Sequence, residues 1–396
     1  MIVTYKYKLY KSKKLKYLNN KIDIAGIIYN HCIALHKRYY KLYHKHLNIY
    51  QLQKHITKLK KLDKYKFWKS VNSQTIQDIT ERINNSYSQF FRKIKQKLRT
   101  RPPKFQKVKK YKSITFKNSG YKFLLDNKLS IQGKTFKYVN SRNFTGDIKT
   151  LLIKRTVSGL YLYVIFDRSK NVNKPTKSKL GKITGIDVGL KTFLTFSNTD
   201  KEESPEFLKS NLKLIRKLHR NLSRKQKGSN HREQAKIKLA KAYEYVSNKR
   251  TNYLFELADQ LTQEYAYIFI EDLDIEEWKQ KYGRKTSDIS ISKFFNILKH
   301  QGLKNNCLVH KIDKYFPSSK TCSNCGYVHN DLKLSERTWV CPICKTKHDR
   351  DINAAINIKR EGMSSLNREG ISSLRLDNIN LFFKSNCYSN LESPLL

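Results

Sequence analysis

The stretch Lys320–Ile358, "KTCSNCGYVHNDLKLSERTWVCPICKTKHDRDINAAINI", sets four cysteines beside a run of acids. Cys322 and Cys325 are two residues apart, as are Cys341 and Cys344, and fifteen residues separate the pairs. That C-x2-C-x15-C-x2-C spacing is the pattern of a zinc ribbon. Gly326 and Pro342 stand where the turns of its two knuckles need them, which weighs against two redox pairs or disulfides, the alternative for such spacing. Four thiolates fill a tetrahedral Zn2+ site and leave no position for water, so the ion would be structural. Chemistry then falls to the carboxylates that follow, beginning with Asp349 and Asp351. "DRDINAAINIKR" opens a helix, with Asp at its front and basic residues at its end.

Working back from the ribbon, "CLVHKIDKYF" reads as a strand, "KQKYGRKTSDIS" as a polar loop, and "AYIFIEDLDIEEW" as a buried strand ending in acids. Leu208, Leu212, Ile215, Leu218 and Leu222 recur at helical spacing, "KGSN" interrupts, and a second helix reaches about Gln263, which makes a helical hairpin. "KITGIDVGLKTFLTFS" gives two strands around a turn at Gly189. Ahead of it, "RSKNVNKPTKSKLG" reads as a linker. Segments such as "SITFKNSGYKF", "KLSIQGKTFKYV" and "LYLYVIFD" predict an antiparallel sheet or small barrel. Residues 20–100 carry a basic helical layer, entered from the short strand "VTYKYKLY". After Arg360 periodicity fails, and the remainder reads as a poorly ordered tail.

Composition narrows the partner. The chain of 396 residues is 39% hydrophobic, enough to build cores in two or three domains, and it carries a formal charge of +49 from 81 Lys and Arg against 32 Asp and Glu. Such an imbalance repels itself unless a polyanion is present, and nucleic acid is the polyanion to expect. A/T-rich coding would inflate Lys, but it would inflate Glu as well, and Glu is scarce. No stretch approaches the roughly 20 apolar residues of a membrane span, and "MIVTYKYKLYKSKKLKYL" lacks the apolar core of a signal peptide. The expectation is no membrane and a reducing compartment, with Cys32, Cys307 and Cys387 as buried or free thiols. No GxxxxGK loop occurs, which argues against a nucleotide-driven motor.

Three acids share one context: Asp187 in "TGIDVG", Glu271 at the end of "YIFIE", and Asp351 at a helix start. Acids at the ends of buried strands are costly unless a cation neutralises them. Converging carboxylates are hard oxygen ligands for Mg2+ or Mn2+, and paired ions of that kind cleave phosphodiesters. In so basic a chain they predict a nuclease. Asp349 is read as the helix cap and Asp351 as the metal ligand, the reverse assignment being the alternative. Asp272, Asp274, Glu276 and Glu277 read as solvated loop, and Asp313 as a strand-end charge with a candidate accessory role. His31, His36, His44 and His46 scatter around their helix, which favours surface or stacking positions over a metal cluster.

Taken in order, these segments resemble the transposon-associated TnpB (OrfB) family, related to type V CRISPR effectors and Fanzor proteins. "YKYKLY" with "AGIIYNHCIALH", "VNSQTIQDI", "GIDVGLKTFLTFS", the helical hairpin, "FIEDLDIEEW", and the ribbon with "HDRDINAAINI" carry the likeness from Met1 to Arg360. The resemblance implies an α/β multidomain protein. Its RNase H-like RuvC nuclease domain (183–317 and 346–361) would have an inserted zinc ribbon (318–345). An N-terminal β-barrel wedge domain (1–15 and 101–170) would carry a helical recognition lobe (16–100), with a linker at 171–182 and a tail at 362–396. It implies Asp187, Glu271 and Asp351 as the catalytic, Mg2+-binding triad of an RNA-guided DNA endonuclease. Zn2+ would sit on Cys322, Cys325, Cys341 and Cys344.

Its partners would be a guide RNA made from the transposon end and double-stranded target DNA. Base pairing would then read sequence while Lys and Arg hold the backbones. The location would be the cytoplasm, nucleoid-associated, in a prokaryote, and the nucleus in a eukaryotic relative. Tyrosines in "KRYYKLY" and "KKYKSITF" are candidates for stacking on bases. "EDLDIEEW" departs from the family's usual "EDLNV" and leaves Glu271 in place. Two rival readings stay open, a nuclease-silent RNA-guided repressor and a metal-dependent transposase acting without RNA.

Overall fold

The computed structural model describes residues 2–117, 119–167, 182–333 and 335–368. The expected linker falls almost wholly outside these, as do Cys387 and everything after Arg368. Two compact units divide the chain, Met1–Asn171 and Val172–Leu396.

The first unit runs β1 (Ile2–Lys8), α1 (Leu15–Tyr43), α2 (Ile49–Leu59), a 3-10 segment (Asp63–Ser70) and α3 (Ser73–Lys95). Six strands follow: β2 (Ser113–Phe116), β3 (Tyr121–Leu124), β4 (Lys128–Ile131), β5 (Lys134–Lys137), β6 (Asp147–Arg155) and β7 (Leu160–Asp167). They form an antiparallel sheet ordered β1-β7-β6-β2 and a second ordered β3-β4-β5, linked by a bridge between Leu9 and Tyr138. Alternation in β1 turns Val3, Tyr5 and Tyr7 inward. The helices bury Leu18, Ile22, Ala25 and Ile33 of α1 and Ile76, Ile79 and Ile83 of α3 in the same apolar cluster as Phe116 and Phe166. Asn48 closes a capping box with Gln51 at the start of α2.

Histidines of α1 are used for packing. His31 stacks on His55, and buried His36 stacks on Tyr87 with centroids 4.7 Å apart. Burial, with His46 nearby, pushes His36 down to about 4. In "KKYKSITF" the aromatic residues Tyr111 and Phe116 are core, whereas Tyr40 and Tyr43 of "KRYYKLY" are exposed.

The second unit opens with β8 (Ile183–Val188), β9 (Thr192–Phe196) and β10 (Lys201–Glu203). Its helical hairpin is α4 (Phe207–Ser223) and α5 (Asn230–Glu264). Then come β11 (Tyr267–Glu271), α6 (Ile275–Tyr282), α7 (Arg284–Ile289), α8 (Ile291–Asn305) and β12 (Leu308–Ile312). The ribbon hairpin β13 (Thr338–Val340) and β14 (Lys347–Asp349) leads into α9 (Arg350–Arg368). One sheet is ordered β10-β9-β8-β11-β12, with β8, β11 and β12 parallel and β9 and β10 antiparallel. Helices α5 and α8 pack on each other and share an apolar cluster with Ile186, Phe193 and Ile268, while α9 packs on β8, β11 and β12. The approach of α9 is very close. A Cβ on Gly185 would lie 2.2 Å from the Ala355 carbonyl, and one on Gly362 would lie 2.1 Å from the Phe269 ring.

Three expectations need correction. "KQKYGRKTSDIS" is largely helical, in α6 and α7, because Asp288 gives it a fixed role: it accepts the Leu208 N–H at the start of α4 and pairs with Arg250 of α5 at 2.9 Å. The tail does not begin at 362. Helix α9 continues to Arg368, with Gly362 seated on Phe269 and Leu366 buried beside Leu308 and Ile312. The ribbon's pairing also runs past 345, since Thr338 lies opposite Asp349. Among the described residues, no helix is long and apolar enough to cross a membrane.

Candidate metal centre

Register brings the first two acids together. Ile186 of β8 lies opposite Ile270 of β11, so one step on, at the C-terminal ends of neighbouring parallel strands, Asp187 and Glu271 stand side by side. Paired residues of parallel strands share a face, and the strands are about 4.8 Å apart. Asp351 lies in the first turn of α9, the helix that packs against Gly185, close enough for its charge to act on Asp187. All three acids are partly buried.

Their electrostatics show the cost of this arrangement. Asp187 is pushed up to about 7, first by burial and then by the charges of Glu271 and Asp351, against the pull of Arg350 and Arg337. Burial also raises Glu271, although the Ser318 hydroxyl donates to its Oε1 at 3.3 Å. A carboxyl in that state gains most from a cation, so the donor set fits a hard divalent ion. Among the described residues the three acids do not meet the tight single-ion grouping that the cysteines do.

Asp349 caps α9. Asp349 Oδ1 accepts the N–H groups of Asp351 and Ile352 at 3.0 and 3.1 Å, and its Oδ2 pairs with Lys201 at 2.8 Å. Although burial opposes it, the Lys201 bond and these backbone donors hold Asp349 below the usual carboxylate range. Asp351 is left facing the other acids, with Arg337 of the ribbon 3.2 Å from its Oδ1. Asp313 accepts the Tyr315 N–H in a turn, Asp274 caps α6 and pairs with Lys314, and Asp272 pairs with Lys311.

Sequence reasoning missed Arg337, Ser318 and two asparagines. Asn353 donates to the Thr321 carbonyl and accepts the Ser323 N–H, while Asn357 donates to the carbonyls of Ser318 and Thr321. Spaced one helical turn apart and buried, they stitch α9 to the first knuckle. Their i, i+4 spacing was the available signal. Arg337 had none.

In the ribbon, the Sγ atoms of Cys322, Cys325, Cys341 and Cys344 all lie within 4.8 Å of one another. Separations of 3.6 Å (Cys322–Cys344) and 3.5 Å (Cys325–Cys341) are far beyond a disulfide's roughly 2.05 Å and suit the edges of a Zn2+ tetrahedron. The knuckles match: Gly326 N–H bonds the Cys322 carbonyl, Lys345 N–H bonds the Cys341 carbonyl, and both residues are left-handed, with φ of 79° and 59°. Cys32 and Cys307 are buried.

Two family models match the chain. Residues 167–281 match one described as "Probable transposase", OrfB_IS605, and residues 292–358 match the "Cas12f1-like, TNB domain". A "Putative RNA-guided DNA endonuclease" of Streptomyces pristinaespiralis is 25% identical, covering 91% of this chain and 89% of that protein. InsQ of Escherichia coli K12, named likewise, is 23% identical over 86% of this chain and 87% of its own length. A solved structure, the cryo-EM Cas12f1-sgRNA-target DNA complex, shares the fold with a TM-score of 0.56 at 16% identity, covering 88% of this chain and 83% of that one. The matching segments span Asp187, Glu271, the four cysteines and Asp351, and the likeness they establish is to transposon-associated TnpB (OrfB) proteins.

Proposed function

We propose that the chain is a transposon-encoded, RNA-guided DNA endonuclease that hydrolyses phosphodiesters at Asp187, Glu271 and Asp351. The observation that carries this reading is the raised Asp187, held near 7 between two further acids at the end of a parallel strand pair. The sheet order β10-β9-β8-β11-β12 with α9 against it supports an RNase H-like RuvC domain. Mg2+ or Mn2+ held there would activate water and stabilise the departing oxygen. The three carboxylates would hold it, Asp349 would fix the backbone that presents Asp351, Ser318 would orient Glu271, and Arg337 would steady Asp351. Zn2+ on the four cysteines would maintain the ribbon.

The first unit supplies the wedge and recognition lobe in this reading, and its exposed Tyr40 and Tyr43 lie among Lys37, Arg38 and Lys41 as stacking candidates for the guide or target. The charge of +49 favours phosphate backbones as the partner surface. A plasmid-cleavage assay with cognate guide, scrambled guide and no RNA tests the whole. Cutting only with the cognate guide and Mg2+ is expected. Equal cutting in all three conditions refutes RNA guidance, and guided binding without cutting favours the repressor.

A further inference from the structure

His348 is buried in the ribbon, where its ring packs on Trp339 with centroids 4.7 Å apart and lies opposite it in the β13–β14 pairing. Its Nε2 is 3.0 Å from Cys322 Sγ. The four thiols already form a complete tetrahedral donor set, so the imidazole stands outside it. Bound to Zn2+, Cys322 is a thiolate with no proton to give, and the contact is attractive only if Nε2 carries one.

The other knuckle positions show the same need met by other means. Cys325 accepts the Tyr327 N–H, and Cys344 accepts the Thr346 N–H with the Thr346 hydroxyl 3.2 Å away. A Zn2+ with four thiolates carries an excess of two negative charges, which hydrogen-bond donors spread. We propose that His348 is the donor for Cys322. It lends its Nε2–H to the thiolate and so fixes β14, the strand whose last residue, Asp349, caps α9 beneath Asp351. His348 is thus a positioning residue that joins the ribbon's metal to the acidic centre. The inference rests on the zinc reading of the ribbon and not on the cleavage reading.

The test uses the full-length, zinc-loaded protein and needs no nuclease activity. Elemental analysis first establishes one zinc per chain, which tests the ribbon by itself. Zinc transfer to a chromogenic chelator is then compared for the parent, His348→Leu, His348→Met and His348→Gln. Loss of the donor should speed release on the order of 10–100-fold in the Leu and Met variants. Gln, whose Nε2–H reaches the same sulfur, should restore a rate near the parent's. With Co2+ in place of zinc, the thiolate charge-transfer band should shift in Leu and Met and return in Gln.

Equal release by all three variants, whether slow or fast, overturns the proposal, since packing on Trp339 would then be the whole role. Histidine 15N NMR of the loaded parent decides independently of any variant's folding. A protonated Nε2 on His348 is expected, and an unprotonated Nε2 overturns the proposal.

Discussion

Replacing Asp187 by Asn should make the metal-free protein more stable at neutral pH while abolishing cleavage. In the folded chain the Asp187 carboxyl titrates at about 7 rather than its ordinary 3.8. Its folded value is the higher one, so this group favours folding fully below pH 4. That stability drains away as pH rises toward 7, where the folded state must ionise a carboxyl beside two others. The rise from 3.8 to about 7 corresponds to a penalty on the order of 4 kcal/mol above pH 7. Asn mimics the protonated form and escapes it. For a unit of this size the difference is on the order of 10 °C in melting temperature. The assay is thermal unfolding of parent and Asp187→Asn at pH 4 and pH 8, at about 0.15 M salt to screen the chain's overall charge, with and without Mg2+. The two should melt together at pH 4. At pH 8 without Mg2+ the variant should melt higher, and Mg2+ should raise only the parent. Identical melting at pH 8, unmoved by Mg2+, would refute the convergence of the three acids.

Asp351→Ala should abolish cutting and spare guided binding, whereas Asp349→Ala should lose about 1 kcal/mol of helix capping and keep measurable activity; a dead Asp349→Ala beside an active Asp351→Ala reverses the assignment. Leu366→Ala should cost roughly 2–4 kcal/mol, read by denaturant unfolding, because Leu366 is buried between α9 and the sheet. Lys345→Gly should stabilise the zinc-loaded ribbon by about 1 kcal/mol, since a left-handed lysine holds the place that Gly326 takes in the first knuckle. A lower melting temperature for that variant would count against the symmetry of the knuckles.

What could be read from the sequence was whatever local pattern specifies. Cysteine spacing located the thiolate cluster, apolar runs ending in acids located β8 and β11, and an aspartate ahead of a helical pattern located the Asp349 cap. What escaped was decided by distant partners. The 279–290 segment has little apolar periodicity and a breaking Gly283, and its helices are anchored by Asp288 to α4 and α5. Periodicity fails after Arg360, yet helix continues through Gly362, where the Phe269 ring occupies the space of a side chain. Arg337 and Ser318 are ordinary surface residue types, and only the folded chain brings them to Asp351 and Glu271.

The asparagine stitches also determine how this region can be exchanged between relatives. Asn353 and Asn357 bond the knuckle backbone at Thr321 and Ser318, and Gly185 and Gly362 leave room for the helix that carries them. A graft cut at the outer cysteines would bring the metal without the side chains that dock it, and the host helix would present whatever it happened to carry. The natural cassette therefore begins before Ser318 and ends after Leu366. Transplanted whole into a host with small residues opposite its helix, it should keep its alignment with the host's strand-end acids, whereas a cysteine-to-cysteine swap should bind zinc and lose that alignment.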